Sequence, residues 1–315
     1  MLPVNELARL DLGNRGPIAI PDAALRQKNL RELNLYRNQL RALPDALWTL
    51  TSLHTLNLGE NQLDTLPDDI SKLQALRMLD LGHNRIAQLP AAVGHLDGLT
   101  DFLYLSHNRL EQLPEALCRL TRLAYLNVSD NRLMALPEGL GEMRALVELR
   151  LYGNRLRTLP ESIGNLKSLV ELHLQRNQLT GLPGTIGGLS RLRELDLADN
   201  MLAALPESVG AMTQLRRLNL RNNALAALPE SLGQLAELTH LDLRANPLSS
   251  MPDVIGALPR LEKLDLRWCP LKAPPAWIGK LRNRGCLIHL RVPRPPQYVF
   301  NAATSGPTWS ALTDR

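Results

Sequence analysis

The chain has 315 residues, 44% of them apolar and only 3% aromatic, so a large core is available but Leu has to fill it. Its 36 Lys and Arg against 31 Asp and Glu give a formal charge of +5, far from the composition of a histone-like nucleic-acid binder. Three scattered cysteines, an N-terminus without a basic and apolar leader, and no apolar run near the ~18 residues of a membrane span argue against a disulfide framework, a signal peptide and a bilayer crossing. The cytoplasm is the expected location.

From the N-terminus onward the elements come as copies of one unit. Asn38, Asn61 and Asn84 stand 23 residues apart, Asn108 follows after 24, and Asn131, Asn154, Asn177, Asn200, Asn223 and Asn246 resume the step of 23. The same frame extended outward reaches Arg15 and Cys269, which makes twelve units over residues 7–283. Each reads LxxLxLxxNxLxxLPxxIGxLxx, as in Leu146, Leu149, Leu151, Asn154, Leu156, Leu159-Pro160, Ile163-Gly164 and Leu166. Leucines two apart at the start predict a short strand with one buried face. Apolar residues three apart at the end predict one helical or 3₁₀ turn, with the proline of every unit, from Pro21 to Pro275, at its first helical position. An Asp or Glu follows that proline in nine of the twelve, as the positive end of a helix dipole favours. The one extra residue lies between His95 and Leu103 and predicts a bulge or altered loop beside Phe102. Beyond the repeat domain of residues 1–283, residues 284–315 read as a capping segment and tail. In them Cys286–Val292 offers one more strand, Pro293–Pro296 breaks the pattern, and Tyr298, Phe300 and Trp309 give the tail something to dock with.

This unit resembles the leucine-rich repeat family, in the 23-residue LPxxIG form of the plant Ras-group-related repeat proteins and the Scribble and Erbin scaffolds. The resemblance implies an α/β fold: a curved leucine-rich-repeat solenoid with a parallel β-sheet on the concave face and short helical or 3₁₀ segments on the convex face. It covers about nine tenths of the chain and implies a non-catalytic module that binds a protein or peptide partner on the concave sheet. Repeats of this kind also occur in bacterial effectors, so a substrate-recognition part of an effector enzyme such as a ubiquitin ligase, translocated into a host cell, is the alternative. The excess of Arg (30) over Lys (6) fits a GC-rich bacterial source.

The repeated Asn residues are expected to be buried turn residues bonded to the backbone of neighbouring coils, and Cys118 and Cys269 to be structural. The repeated glycines read as bends in a tight coil. No phosphate loop, CxxC, HExxH or GxSxG element occurs, so neither catalytic residues nor a cofactor or small-molecule substrate is expected. His83 and His107 share a position in adjacent units, but two histidines without a third ligand make a poor metal site, and none is predicted.

Function is therefore sought at positions 3, 5, 7 and 8 of each unit, which face outward from the inner sheet. Most carry polar residues read as solvated. Met78, Phe102, Tyr104 and Tyr125 instead fall together on consecutive strands, followed by Tyr152. With Arg150 and His173 as polar partners they form the predicted partner-binding patch, since exposed aromatics gathered on a polar face are what a binding hot spot requires. The competing reading is a set of cross-strand pairs that only stiffens the sheet. Residues 261–315 hold nine Lys and Arg against three Asp and Glu, and Arg221, Arg244, Arg267 and Trp268 mark a secondary basic surface at that end. Asp196, Asp242 and Asp265 interleave with these arginines, so ion pairing is favoured there over a nucleic-acid or anionic-membrane surface.

Overall fold

The computed structural model describes residues 8–16 and 20–290. The two spacings within each unit separate into two kinds of local structure. Thirteen three-residue strands are present: β1 (Arg9–Asp11), β2 (Glu32–Asn34), β3 (Thr55–Asn57), β4 (Met78–Asp80), β5 (Phe102–Tyr104), β6 (Tyr125–Asn127), β7 (Glu148–Arg150), β8 (Glu171–His173), β9 (Glu194–Asp196), β10 (Arg217–Asn219), β11 (His240–Asp242), β12 (Lys263–Asp265) and β13 (Leu287–His289). They pair in strict chain order into one parallel, unclosed sheet. The register matches unit to unit, with Leu103 beside Leu126, Leu149 and Leu172 in turn. The middle residue of each strand points inward, and its two neighbours are left on the concave side. At ~4.8 Å per strand the sheet is on the order of 60 Å long.

The inward leucines of all coils join one continuous core, in which Leu103, Leu126, Leu149 and Leu172 are fully buried. Trp48, at 1% exposure, is its largest fully buried side chain, and Trp277 joins the same core, so aromatics are not barred from it by shape. No helix among the described residues is long and apolar enough to cross a membrane.

Ten units close with a five-residue 3₁₀ turn, such as Glu161–Asn165. Here the proline stands one residue earlier than the sequence suggests. Pro160 is the cap, extended at φ −66° and ψ 147°, and its carbonyl accepts the Ile163 N–H at 3.1 Å. The turn needs the carbonyl of this residue and not its N–H, so proline fits the cap as well as it would fit the first helical position. The acidic residue then takes the first helical position, beside the free N–H groups. Helices α1 (Asp22–Leu25) and α2 (Ile278–Asn283) replace the 3₁₀ turn in the end units.

The glycine after the turn's buried apolar residue serves close approach. A Cβ on Gly164 would fall 2.2 Å from the Thr185 carbonyl oxygen of the next coil. The extra residue before Leu103 is absorbed between the 3₁₀ turn Ala91–His95 and β5, so the loop beside Phe102 is altered while the strand itself carries no bulge. Strand β13 extends the sheet beyond the twelfth unit, as Cys286–Val292 suggested. Pro293–Pro296, Tyr298, Phe300 and Trp309 lie outside the described residues.

Position 8 of every unit is left-handed, with φ between 50° and 66° from Asn14 to Trp268. Asn, Asp and Gly adopt this region readily, but Ala245 at φ 55° does not. Ala245→Gly is expected to stabilise the fold by about 0.5–1 kcal/mol, read as a higher urea midpoint at unchanged slope.

Candidate functional site

Strands β5 and β6 bring three rings together on the concave face. Phe102 and Tyr104, two apart on β5, stack with centroids 5.9 Å apart at 15°. Tyr125 on β6 meets both, at 5.5 Å and 59° to Phe102 and at 5.0 Å and 47° to Tyr104. Met78 stands opposite Phe102 in the register of β4 and β5. Phe102 remains 42% exposed, whereas the middle residue between the two β5 rings, Leu103, is fully buried. Burial pushes the Tyr125 hydroxyl up to about 12 and raises that of Tyr104, so both stay protonated across the neutral range.

The polar residues predicted for this patch divide. Arg150 places its guanidinium 5.7 Å from the Tyr125 centroid and is held there by Glu148. His173 contacts Glu171 at 3.2 Å and Glu148 at 4.0 Å. Within the predicted patch, ring-to-ring contact stops at Tyr125. Tyr152 lies instead under Arg176 at 5.5 Å, which pairs with Asp130 at 2.8 Å. Tyr152 therefore belongs to a neighbouring group with His107, whose Nε2 lies 3.5 Å from Asp130, and with His83, stacked on His107 at 4.0 Å.

Position 5 is not merely solvated polarity, as the sequence reading had it. In nine of the twelve units it is Asp or Asn, and its Oδ1 accepts the backbone N–H two residues on, as Asn57 does from Gly59 at 2.9 Å and Asn127 from Ser129 at 3.0 Å. This bond closes the end of each strand. The three exceptions are Tyr104, Arg150 and His173, all in the predicted patch. Three positions have thus given up a repeated structural bond within one stretch of the face. His173→Asn is expected to restore it and to raise the free energy of unfolding by about 1 kcal/mol, measured by urea denaturation.

The glutamates of position 3 likewise do more than face solvent singly. Glu148, Glu171 and Glu194 stand directly opposite one another on β7, β8 and β9. Glu148, Glu171 and His173 present ligand atoms within 4.8 Å of one another, a set able to hold a metal ion, although Arg150 already engages Glu148. The signal was present as one residue type repeated at position 3 of three successive units.

The secondary basic surface is largely neutralised. Arg221 pairs with Asp199 at 2.6 Å, Arg244 with Asp242 at 2.5 Å, and Arg267 with Asp265 at 2.6 Å. Burial alone would raise the Asp265 carboxyl, but the Arg267 hydrogen bonds outweigh it and hold the group below the usual aspartate range. Trp268 is 40% exposed, with the Arg267 guanidinium 5.8 Å from its ring. These three arginines are committed to aspartates and so are not free to hold a phosphate backbone.

Models of the leucine rich repeat match residues 5–63, 28–86, 137–202 and 206–271, and a model of a leucine-rich repeat region matches residues 68–155. The chain belongs to the leucine-rich repeat family. Among solved structures this leucine-rich repeat chain is similar to the plant peptide hormone receptor RGFR1 in complex with RGF2, at TM-score 0.72 and 27% identity over 90% of this chain and 51% of that one. It is similar also to the Leptospira interrogans LRR protein LIC12759, at TM-score 0.50 and 26% identity over 91% and 96% of the two chains. An internalin from Listeria monocytogenes shares the fold at TM-score 0.69 and 22% identity over 92% and 88%. The chain thus spans about half the length of the plant receptor it matches. No curated protein matches it.

Proposed function

We propose that this chain is a non-catalytic interaction module that takes a protein or peptide partner on the concave face at β4–β8, through Met78, Phe102, Tyr104 and Tyr125 with Arg150 and His173 beside them. The observation that carries this reading is the coincidence of two departures from the repeat. Three rings gather on an otherwise polar sheet, Phe102 exposed and Tyr104 and Tyr125 half-buried, and the same stretch lacks the strand-closing Asp or Asn at Tyr104, Arg150 and His173. Neither is required by the core, which is mostly leucine in this region and holds no aromatic there. A peptide-bound plant receptor among the similar structures supports the same use of the fold. Three buried free thiols support work in the reducing cytoplasm, in keeping with the LPxxIG pattern.

The test compares affinity selection on the full chain with selection on its Phe102→Ala/Tyr125→Ala variant. Partners retained equally by a folded variant would remove the patch from consideration.

A further inference from the structure

The residues at position 3 form a single line across the sheet: Met78, Phe102, Tyr125, Glu148, Glu171 and Glu194, each opposite the next. Half of this line is apolar and half acidic. Like charges directly opposite on neighbouring strands cost stability, so each glutamate needs a counter-charge. Glu148 has Arg150, and Glu194 has Arg217 at 3.8 Å. Glu171 has His173, and among the described residues no Lys or Arg stands within ion-pair distance of it. The middle of the acidic half therefore lacks a permanent cation, two strands from the ring cluster.

Resting on the proposed function, we infer that the line reads an extended partner segment in which a lysine or arginine lies about three residues from a large apolar side chain, the cation at Glu171 and the apolar group on Phe102 and Tyr125. Charge complementarity selects this occupant. Two strand spacings separate Tyr125 from Glu171, ~10 Å, and three residues of extended chain cover the same distance. An ammonium or guanidinium placed there would compensate the row of glutamates that the free protein leaves partly uncompensated. The half-exposed rings would bury their outer faces against the apolar side chain in the same step.

The test is selection of a displayed library of random linear peptides of about twelve residues, longer than the line itself, on the full chain in buffer containing EDTA. Parallel selections use Phe102→Ala/Tyr125→Ala and Glu171→Gln. Peptides from the unchanged protein are expected to pair Lys or Arg with a large apolar residue about three positions away. Those from Glu171→Gln should keep the apolar residue and lose the preference for a cation. A single selected peptide is expected to bind Glu171→Gln about three- to fivefold more weakly. Its Lys→Met version should lose the same factor on the unchanged protein and nothing further on Glu171→Gln. Free Glu171→Gln is expected to melt about 1–2 °C higher, since the change removes like-charge repulsion. A lower melting point would make Glu171 a structural residue and overturn the inference.

Peptides that depend on Phe102 and Tyr125 but show no cation preference would overturn it while leaving the proposed function standing. Peptides indifferent to both rings would overturn both. Self-association of the chain that Glu171→Gln abolishes would place a second copy on the line instead, and would also overturn it.

Discussion

Asn154→Ala is expected to lower the free energy of unfolding by about 3–5 kcal/mol, because one side chain satisfies several buried backbone groups at once. Its Oδ1 accepts the Leu133 N–H of the preceding coil at 3.0 Å. Its Nδ2 donates to the Val128 and Leu151 carbonyls at 2.9 Å each and to Tyr152 at 3.4 Å. Alanine leaves the Leu133 N–H without a partner between two coils, where water has no access, while the Val128, Leu151 and Tyr152 carbonyls each lose one of two donors and keep Asn131 Nδ2, Asn177 Nδ2 and the Asp130 N–H. The orphaned N–H costs about 1–3 kcal/mol, and each of the lost carbonyl hydrogen bonds about 0.5–1.5 kcal/mol more. Because a solenoid coil contacts only its neighbours, the loss should open units 6 to 8 before the ends. Hydrogen exchange should show this as lost protection at Leu133, Leu151 and Leu156. Asn165, exposed on the convex side and outside the ladder, supplies the control, and Asn165→Ala is expected to change stability by less than about 0.5 kcal/mol. A cost for Asn154→Ala no larger than the control would mean that backbone packing, and not the amide ladder, holds the coils together.

That ladder also shows why so much of the fold was legible in the sequence. A coil must present the same groups to the coil before and after it, so every contact between coils recurs with the period of the chain. The asparagines, the turn glycines and the alternating leucines are all contacts of this kind. At Cys269 the ladder position is kept by weaker chemistry, a thiol donating to the Leu243 carbonyl at 3.1 Å. The proline was displaced by one residue because the helical start and the cap place nearly the same demands on it. The site was legible only in part. The frame located Phe102, Tyr104 and Tyr125 on one face, but which rings touch depends on torsions that no period fixes, and Tyr152 turned toward Arg176. Position 5 was misread because its Asp and Asn residues look like surface polarity when taken singly. Their bond runs two residues along the chain, not across coils, so the rule emerges only when the three units that break it are set beside the nine that keep it.

Phe102→Ala/Tyr125→Ala is expected to weaken binding of a partner held on the concave centre by about 100-fold, or about 2.7 kcal/mol. Each ring is half-exposed and buries the remainder only when a partner covers it, so truncation removes apolar area that matters in the complex more than in the free fold. The two losses should not add, because the rings touch each other at 5.5 Å and each single variant already disturbs the other's surface. The competing account, that the rings only stiffen the sheet, predicts the opposite distribution. Lost cross-strand pairs would then destabilise the free protein by about 1–2 kcal/mol and leave affinity within about twofold once folded protein is matched. Measuring urea unfolding and partner affinity on the same variant separates the two accounts. Arg244→Ala is the control for a residue already satisfied at home, since Arg244 is paired with Asp242 and Asp265 and should change affinity by less than about twofold. A stable double variant that binds as tightly as the unchanged chain would leave the ring cluster without a function in recognition.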